Sequence, residues 1–308
     1  MHKFFNDSLI DAQSNNWVDL YIPKGLRPYF KLSRLDRPIG SWLLIIPCWW
    51  GVFLSTNVNP MLLSGNSLYI LIACYIGGLL MRGAGCTWND ITDAKLDAKV
   101  FRTKNRPIPA GQVSKSQAFL WLVLQCSLAL LILVTFNRLA IILGFLSILT
   151  VIIYPFAKRF TYWPQFFLGI SFNWGILLAY AANGGTLDYF SVGLYLSAIA
   201  WTIFYDTIYS FQDIEDDVII GVKSTSIKFK DNPKIFLLMC YLIFVICYLV
   251  MGKYLEYNYY FFIGTIIAVI HLFYYQVYHF DKSNKTGCLN IFKSNNLFGL
   301  IILINIFI

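Results

Sequence analysis

The sequence predicts an all-α integral membrane protein with nine transmembrane helices, and three observations carry that prediction. Charged residues make up 13% of the chain and hydrophobic residues 58%, with a mean hydropathy of +0.61, whereas a soluble domain carries about 25% charged residues. Apolar windows of the roughly 20 residues that a helical span needs recur along nearly the whole chain and do not alternate, which favours helices over a β-barrel. With the N-terminus placed inside, 21 of the 24 Lys and Arg residues fall on the inner side of the resulting topology, the bias expected of cytoplasmic segments.

Residues 1–38 read as a polar N-terminal cytoplasmic segment ending in Lys24, Arg27, Lys31, Arg34 and Arg37. Its early acids and lack of an apolar core are unlike a cleaved signal peptide or an Arg-rich transit leader. Nine spans follow, at about 39–55, 67–88, 117–135, 139–156, 163–182, 189–211, 235–251, 257–279 and 295–308, making residues 39–308 a single transmembrane domain. The last span is the shortest and puts the C-terminus outside. The net charge of +8 belongs to this sidedness and not to a nucleic-acid surface. The seven cysteines show no metal-ligand spacing, and most fall within spans, where a thiol behaves as a small apolar side chain. The histidines are scattered and receive no role.

Half of the 16 Asp and Glu residues lie in 89–97 and 206–217. In the first stretch Asn89, Asp90, Asp93 and Asp97 follow an apolar run. If that run continues as a helix, Asn89, Asp93 and Asp97 recur every four residues on one face. Carboxylates so close repel one another unless a multivalent cation holds them, and an oxygen-only ligand set suits Mg2+. The second stretch carries Asp206, expected inside a span where an ionisable residue is costly and usually functional, although capping or internal pairing would also explain it. Asp213 and Asp217 follow, 120 residues after Asp93 and Asp97. Asp206 and Asp213, seven apart, are expected nearly on one helical face. The offset covers four spans and is consistent with a weak internal duplication.

Between the clusters Tyr154 and Lys158 are four apart at the end of the fourth span, followed by Arg159. Lys158 could neutralise a diphosphate oxygen and Arg159 could grip a carboxylate in a fork; snorkelling to lipid headgroups is the alternative for both. Arg34, Arg37, Arg82, Arg102, Lys104 and Arg106 border the first cluster, and Lys223 follows the second. Acids that hold Mg2+, ringed by cations, describe a diphosphate pocket better than a bare metal site. Tyr154, Tyr205, Tyr209 and Trp88 lie nearby, and aromatic faces can stabilise a carbocation.

At these residues the chain resembles the UbiA family of membrane prenyltransferases. Asn89-Asp90-x-x-Asp93-x-x-x-Asp97 is similar to its NDxxDxxxD motif, Asp213-x-x-x-Asp217 to its DxxxD motif, and Tyr154-x-x-x-Lys158 to the YxxxK element between them. The segments RLDRPIG, NRPIPAG, YPFAKR and YDTIYSFQDIEDDVIIGVKST look most like the branch that prenylates 4-hydroxybenzoate for ubiquinone synthesis. The resemblance implies a bundle of nine helices around a central cavity, Mg2+ dependence, a polyprenyl diphosphate donor and a side opening to membrane lipid for the prenyl tail. It also implies metal ligation by Asn89, Asp90, Asp93, Asp97, Asp213 and Asp217. Asp93, Asp206, Asp213 and Lys158 are then the expected catalytic groups, with Asp206 or Asp93 as base. Arg34, Arg37, Arg82, Arg102, Lys104, Arg106, Tyr154, Lys158, Arg159, Tyr209 and Lys223 are the expected substrate contacts. The expected location is a cell inner membrane with the site facing the cytoplasm, or the mitochondrial inner membrane in a eukaryote. Within the family the acceptor could be another aromatic. From another class, a secondary transporter also uses intramembrane acids, but here the acids gather at one face and not at the midplane. A CDP-alcohol phosphotransferase would carry a DGxxAR pattern that the sequence lacks.

Overall fold

The structure, a computed structural model, describes residues 16–58, 65–100 and 103–307. These residues form helices without strands: α1 (Trp17–Tyr21), α2 (Arg27–Leu32), α3 (Ile39–Val58), α4 (Gly65–Asp97), α5 (Lys115–Leu133), α6 (Arg138–Phe160), α7 (Pro164–Ala182), α8 (Tyr189–Ser210), α9 (Ile214–Ile220), α10 (Thr225–Lys228), α11 (Pro233–Tyr254), α12 (Tyr259–Ile270) and α13 (Lys285–Phe307). A π-helical stretch, His271–Tyr278, continues α12. Among the described residues eight helices are long and apolar enough to cross a membrane, so the chain is a multi-pass membrane protein. The expected count of nine is not confirmed: α8 is 22 residues long but is not one of the eight. The reason lies in its surroundings. Ser, Thr, Tyr and Asp206 dilute its apolar character, and 14 of its residues are buried, so protein and not lipid surrounds much of it.

The chain divides into two compact units, Met1–Ser41 with Gly77–Leu131, and Trp42–Ile76 with Ile132–Ile308. In the first, Leu32, Val113 and Ala118 form a small core against which Tyr29, Ile91 and Ile108 pack. Lys31 pairs with Asp19 at 2.8 Å, and the Trp17 indole donates to the Leu35 carbonyl, tying α1 to the end of α2.

In the second unit α7 and α8 are largely buried helices. Helices in lipid associate through close backbone approach and interhelical hydrogen bonds, and both are present. Asn173 of α7 donates to the Ala198 carbonyl and the Thr202 hydroxyl of α8. Trp50 of α3 and Trp201 of α8 pack at 5.2 Å, and their indoles donate to the Gly299 carbonyl and to Asn295 of α13. Asn295 also exchanges hydrogen bonds with Gln276 of the π-helical stretch. At Gly51 of α3 an added Cβ would lie 2.2 Å from the Ile176 carbonyl oxygen of α7. Gly51→Ala is therefore expected to force α3 and α7 apart at a cost of about 1–3 kcal/mol, read as a lower unfolding temperature in detergent.

Candidate active site

Helix α4 has 33 residues, about 50 Å at 1.5 Å per residue and well beyond a hydrocarbon core of about 30 Å. The span continues as helix through the first acidic motif, as the spacing predicts. The face it buries is slightly different: Asp90 and Asp93 are 0% exposed and Asp97 6%, while Asn89 is half-buried. Acids at a helix C-terminus oppose the macrodipole, so this cluster needs cations. Two arginines supply them. Arg34 reaches Asp90 Oδ1 at 2.6 Å, and Arg106 Nη1 lies 3.3 Å from the same oxygen and 2.8 Å from Asp97 Oδ2. The Thr103 hydroxyl caps the end of α4 by donating to the Asp97 carbonyl. Asp90 Oδ2 is buried and has no hydrogen-bond partner.

That orphaned oxygen, within a set of oxygen-only donors, fits a divalent cation. No three His, Cys, Asp or Glu side chains among the described residues already converge as a metal cage, because arginines stand among the acids. Mg2+ habitually completes its shell with waters and phosphate oxygens, so the donors fit that ion together with a diphosphate.

The second motif lies in the other unit. Asp206 is half-buried, four residues before the end of α8. The expectation that it shares a helical face with Asp213 is corrected: α8 stops at Ser210 because Phe211 turns inward, 1% exposed and 5.3 Å from Phe280. Asp213 is the N-cap of the separate helix α9, and the Asp217 amide donates to its carbonyl at 2.8 Å, so these two keep helical spacing. Gly221, at φ 79°, ends α9 in the left-handed conformation that glycine accepts without strain. Glu215 points to solvent, where the Lys285 ammonium at 2.8 Å holds its carboxyl below the usual range.

Helix α6 carries Tyr154 and Lys158, both half-buried, and the exposed Arg159, whose guanidinium lies 5.1 Å from the Phe156 ring centre. Lys223 docks on the end of this helix: its amide donates to the Lys158 carbonyl at 2.9 Å and its ammonium to the Phe160 carbonyl at 3.2 Å. The YxxxK element and the chain after the second acidic motif are thereby joined within one unit. Tyr209 packs on Phe292 at 4.4 Å.

Among the other expected residues, Arg37 pairs with Asp36 at 3.1 Å, Arg82 runs alongside Gly40, and Lys104 is exposed. Arg102 lies outside the described residues. Sequence reasoning missed Ser33, Trp121 and Gln125. Ser33 Oγ accepts from the Trp121 indole and the Gln125 amide, each at 2.8 Å. A glutamine inside an apolar run was the available signal.

A profile of the UbiA prenyltransferase family matches residues 44–300. The chain belongs to the UbiA prenyltransferase family. Its curated relatives in that family include the mitochondrial 4-hydroxybenzoate polyprenyltransferase of Arabidopsis thaliana, 43% identical over 93% of this chain and 70% of the relative, and that of Homo sapiens, 42% identical over 92% and 76%. Among solved structures, a UbiA homolog from Aeropyrum pernix K1 superposes with a TM-score of 0.72 at 20% identity, covering 85% of this chain and 97% of the other. A UbiA homolog from Archaeoglobus fulgidus bound to GPP and Mg2+ superposes at 0.62 with 14% identity, covering 90% and 99%. At these identities the likeness shows the fold, and it is the family's.

Proposed function

We propose that this chain transfers a polyprenyl group from polyprenyl diphosphate to ring carbon 3 of 4-hydroxybenzoate, releasing diphosphate, in ubiquinone biosynthesis. The observation that carries the reading is identity above 40% across more than nine-tenths of the chain with relatives that bear this activity in their names. The buried, arginine-paired acids of α4 support it.

In this reading Asn89, Asp90, Asp93 and Asp97 would hold one Mg2+, and Asp213 and Asp217 would hold a second. The inward Lys/Arg bias of the sequence is consistent with one membrane face for both. When bound, Mg2+ neutralises charge on the departing diphosphate oxygens. Lys158, Arg102 and Lys223 would add positive charge to stabilise the departing diphosphate. The allylic C–O bond breaks with its electron pair leaving on diphosphate, and the apolar surroundings keep water from the allylic cation. Ring carbon 3 attacks, and Asp206 or Asp93 takes the proton that leaves as the ring regains aromaticity. Arg34 is committed to Asp90 and Arg37 to Asp36, so Arg159 is the preferred fork for the acceptor carboxylate. The location follows as an inner membrane with the acids on the cytoplasmic or matrix side.

The purified protein is expected to prenylate 4-hydroxybenzoate with prenyl diphosphates of several lengths and to stop when EDTA removes the metal. Absence of product with every donor length, from protein that is folded, would overturn the assignment.

A further inference from the structure

Helix α2 ends in a Schellman turn. The Leu35 amide donates to the Phe30 carbonyl and the Arg34 amide to the Lys31 carbonyl, both at 3.1 Å. The residue just past the cap of such a turn is in the left-handed conformation and is usually glycine. Here it is Arg34, at φ 56°. A side chain held there costs roughly 1–3 kcal/mol and persists only where its surroundings over-determine it.

The surroundings do so. The Arg34 guanidinium donates to the Lys31 carbonyl at 2.9 Å and to Asp90 Oδ1 at 2.6 Å. The preceding residue, Ser33, is 1% exposed, and its hydroxyl oxygen accepts two hydrogen bonds from α5, from Trp121 and from Gln125. The Trp121 ring also packs against Tyr29 and Phe30 of α2, at 5.5 and 6.3 Å. Gln125 is buried with its Oε1 unpartnered, a cost of about 1–3 kcal/mol, so its amide is placed for the Ser33 bond at the expense of its own satisfaction. Gly83 of α4 packs closely on both: a Cβ there would lie 2.2 Å from the Gln125 amide nitrogen and 3.0 Å from Ser33 Cβ, so Gln125 would have to move. A strained turn, an unsatisfied amide and a close-packed glycine thus meet at the residue before the arginine that pairs with Asp90.

We infer that Ser33, clamped by Trp121 and Gln125, is a positioning residue that aims Arg34 at Asp90 and so sets how tightly the acid cluster of α4 takes up Mg2+ with diphosphate. The inference rests on the proposed reading of those acids. The physical chain is short. Asp90 offers two oxygens. Arg34 and Arg106 occupy Oδ1 and leave Oδ2 facing away from protein donors. If the turn relaxes, Arg34 swings and Oδ2 loses that defined orientation.

The test uses the full chain in detergent, with Mg2+ and inorganic diphosphate titrated against the thermal unfolding temperature. Ser33→Ala is expected to raise the half-saturating concentration roughly tenfold, as loss of a ligand-orienting partner typically does. Ser33→Thr, which keeps the acceptor oxygen, is expected to stay within about twofold of wild type. In an Arg34→Gln background Ser33→Ala is expected to change the midpoint by less than about twofold, because residues acting through one group are not additive. A lower unfolding temperature without ligand, with an unchanged titration midpoint, would mean a merely structural role and overturn the inference. If Ser33→Ala does not fold, Trp121→Phe keeps the ring and removes one bond to Ser33; a raised midpoint supports the inference and an unchanged one overturns it. A wild-type protein that ignores Mg2+ with diphosphate overturns the reading of the acids as well, whereas a responsive wild type with unresponsive substitutions overturns this inference alone.

Discussion

Asp93→Ala combined with Asp213→Ala is expected to lower prenyl transfer at least about a thousandfold, since in the proposed reading each removes a carboxylate that would hold metal. Asp93 is fully buried on α4, and Asp213 opens α9. Single-turnover assays with labelled 4-hydroxybenzoate measure the effect. If both acids serve the same diphosphate, the double substitution falls far short of the product of the two single effects, because removing either already disables the unit. Full activity in the double variant would end the two-cluster reading. Multiplicative losses would mean that the motifs act on separate steps.

Arg106→Ala is expected to have the largest effect on stability. One guanidinium spans Asp90 and Asp97, and both carboxylates are buried. Removing a single partner from buried charges typically costs about 3–5 kcal/mol, because the remaining charges stay behind uncompensated. Arg34 still faces Asp90, so the lower end of that range is expected. The substitution should also enlarge the rise in unfolding temperature that Mg2+ produces, since a cation then relieves repulsion that Arg106 relieves in the wild type. Arg106→Lys should recover only part of the loss, because an ammonium lacks the planar fork that reaches two carboxylates. An unchanged unfolding temperature in Arg106→Ala would show that water and not protein solvates these acids.

Much of the fold was legible because lipid imposes a simple rule on composition. Eight of the expected spans appear as long apolar helices, with ends within a few residues for most. The expected ninth shows where the rule weakens. Helix α8 is surrounded largely by protein, so hydroxyls and an acid are tolerated and hydropathy falls. The acids themselves were legible from spacing, since α4 is one unbroken helix. The Asp206–Asp213 relation was not. A seven-residue offset is equally compatible with a continuous helix and with a break, and the break depends on Phe211 finding Phe280 far along the chain. Nor could the partners of the acids be read from sequence. Six basic residues precede the first span, and only tertiary structure singles out Arg34 through a left-handed turn that spacing does not encode.

The unbroken course of α4 has a consequence for how this protein can vary. Loops absorb insertions, but α4 has no loop between its apolar run and its acids. Each residue added or removed there turns everything beyond it by about 100°. One such change would carry Asp90, Asp93 and Asp97 away from Arg34 while leaving every side chain of the motif in place. The phase of the helix is thus inherited together with the residues: a sequence could preserve all four letters of the motif and lose the site through a single indel upstream.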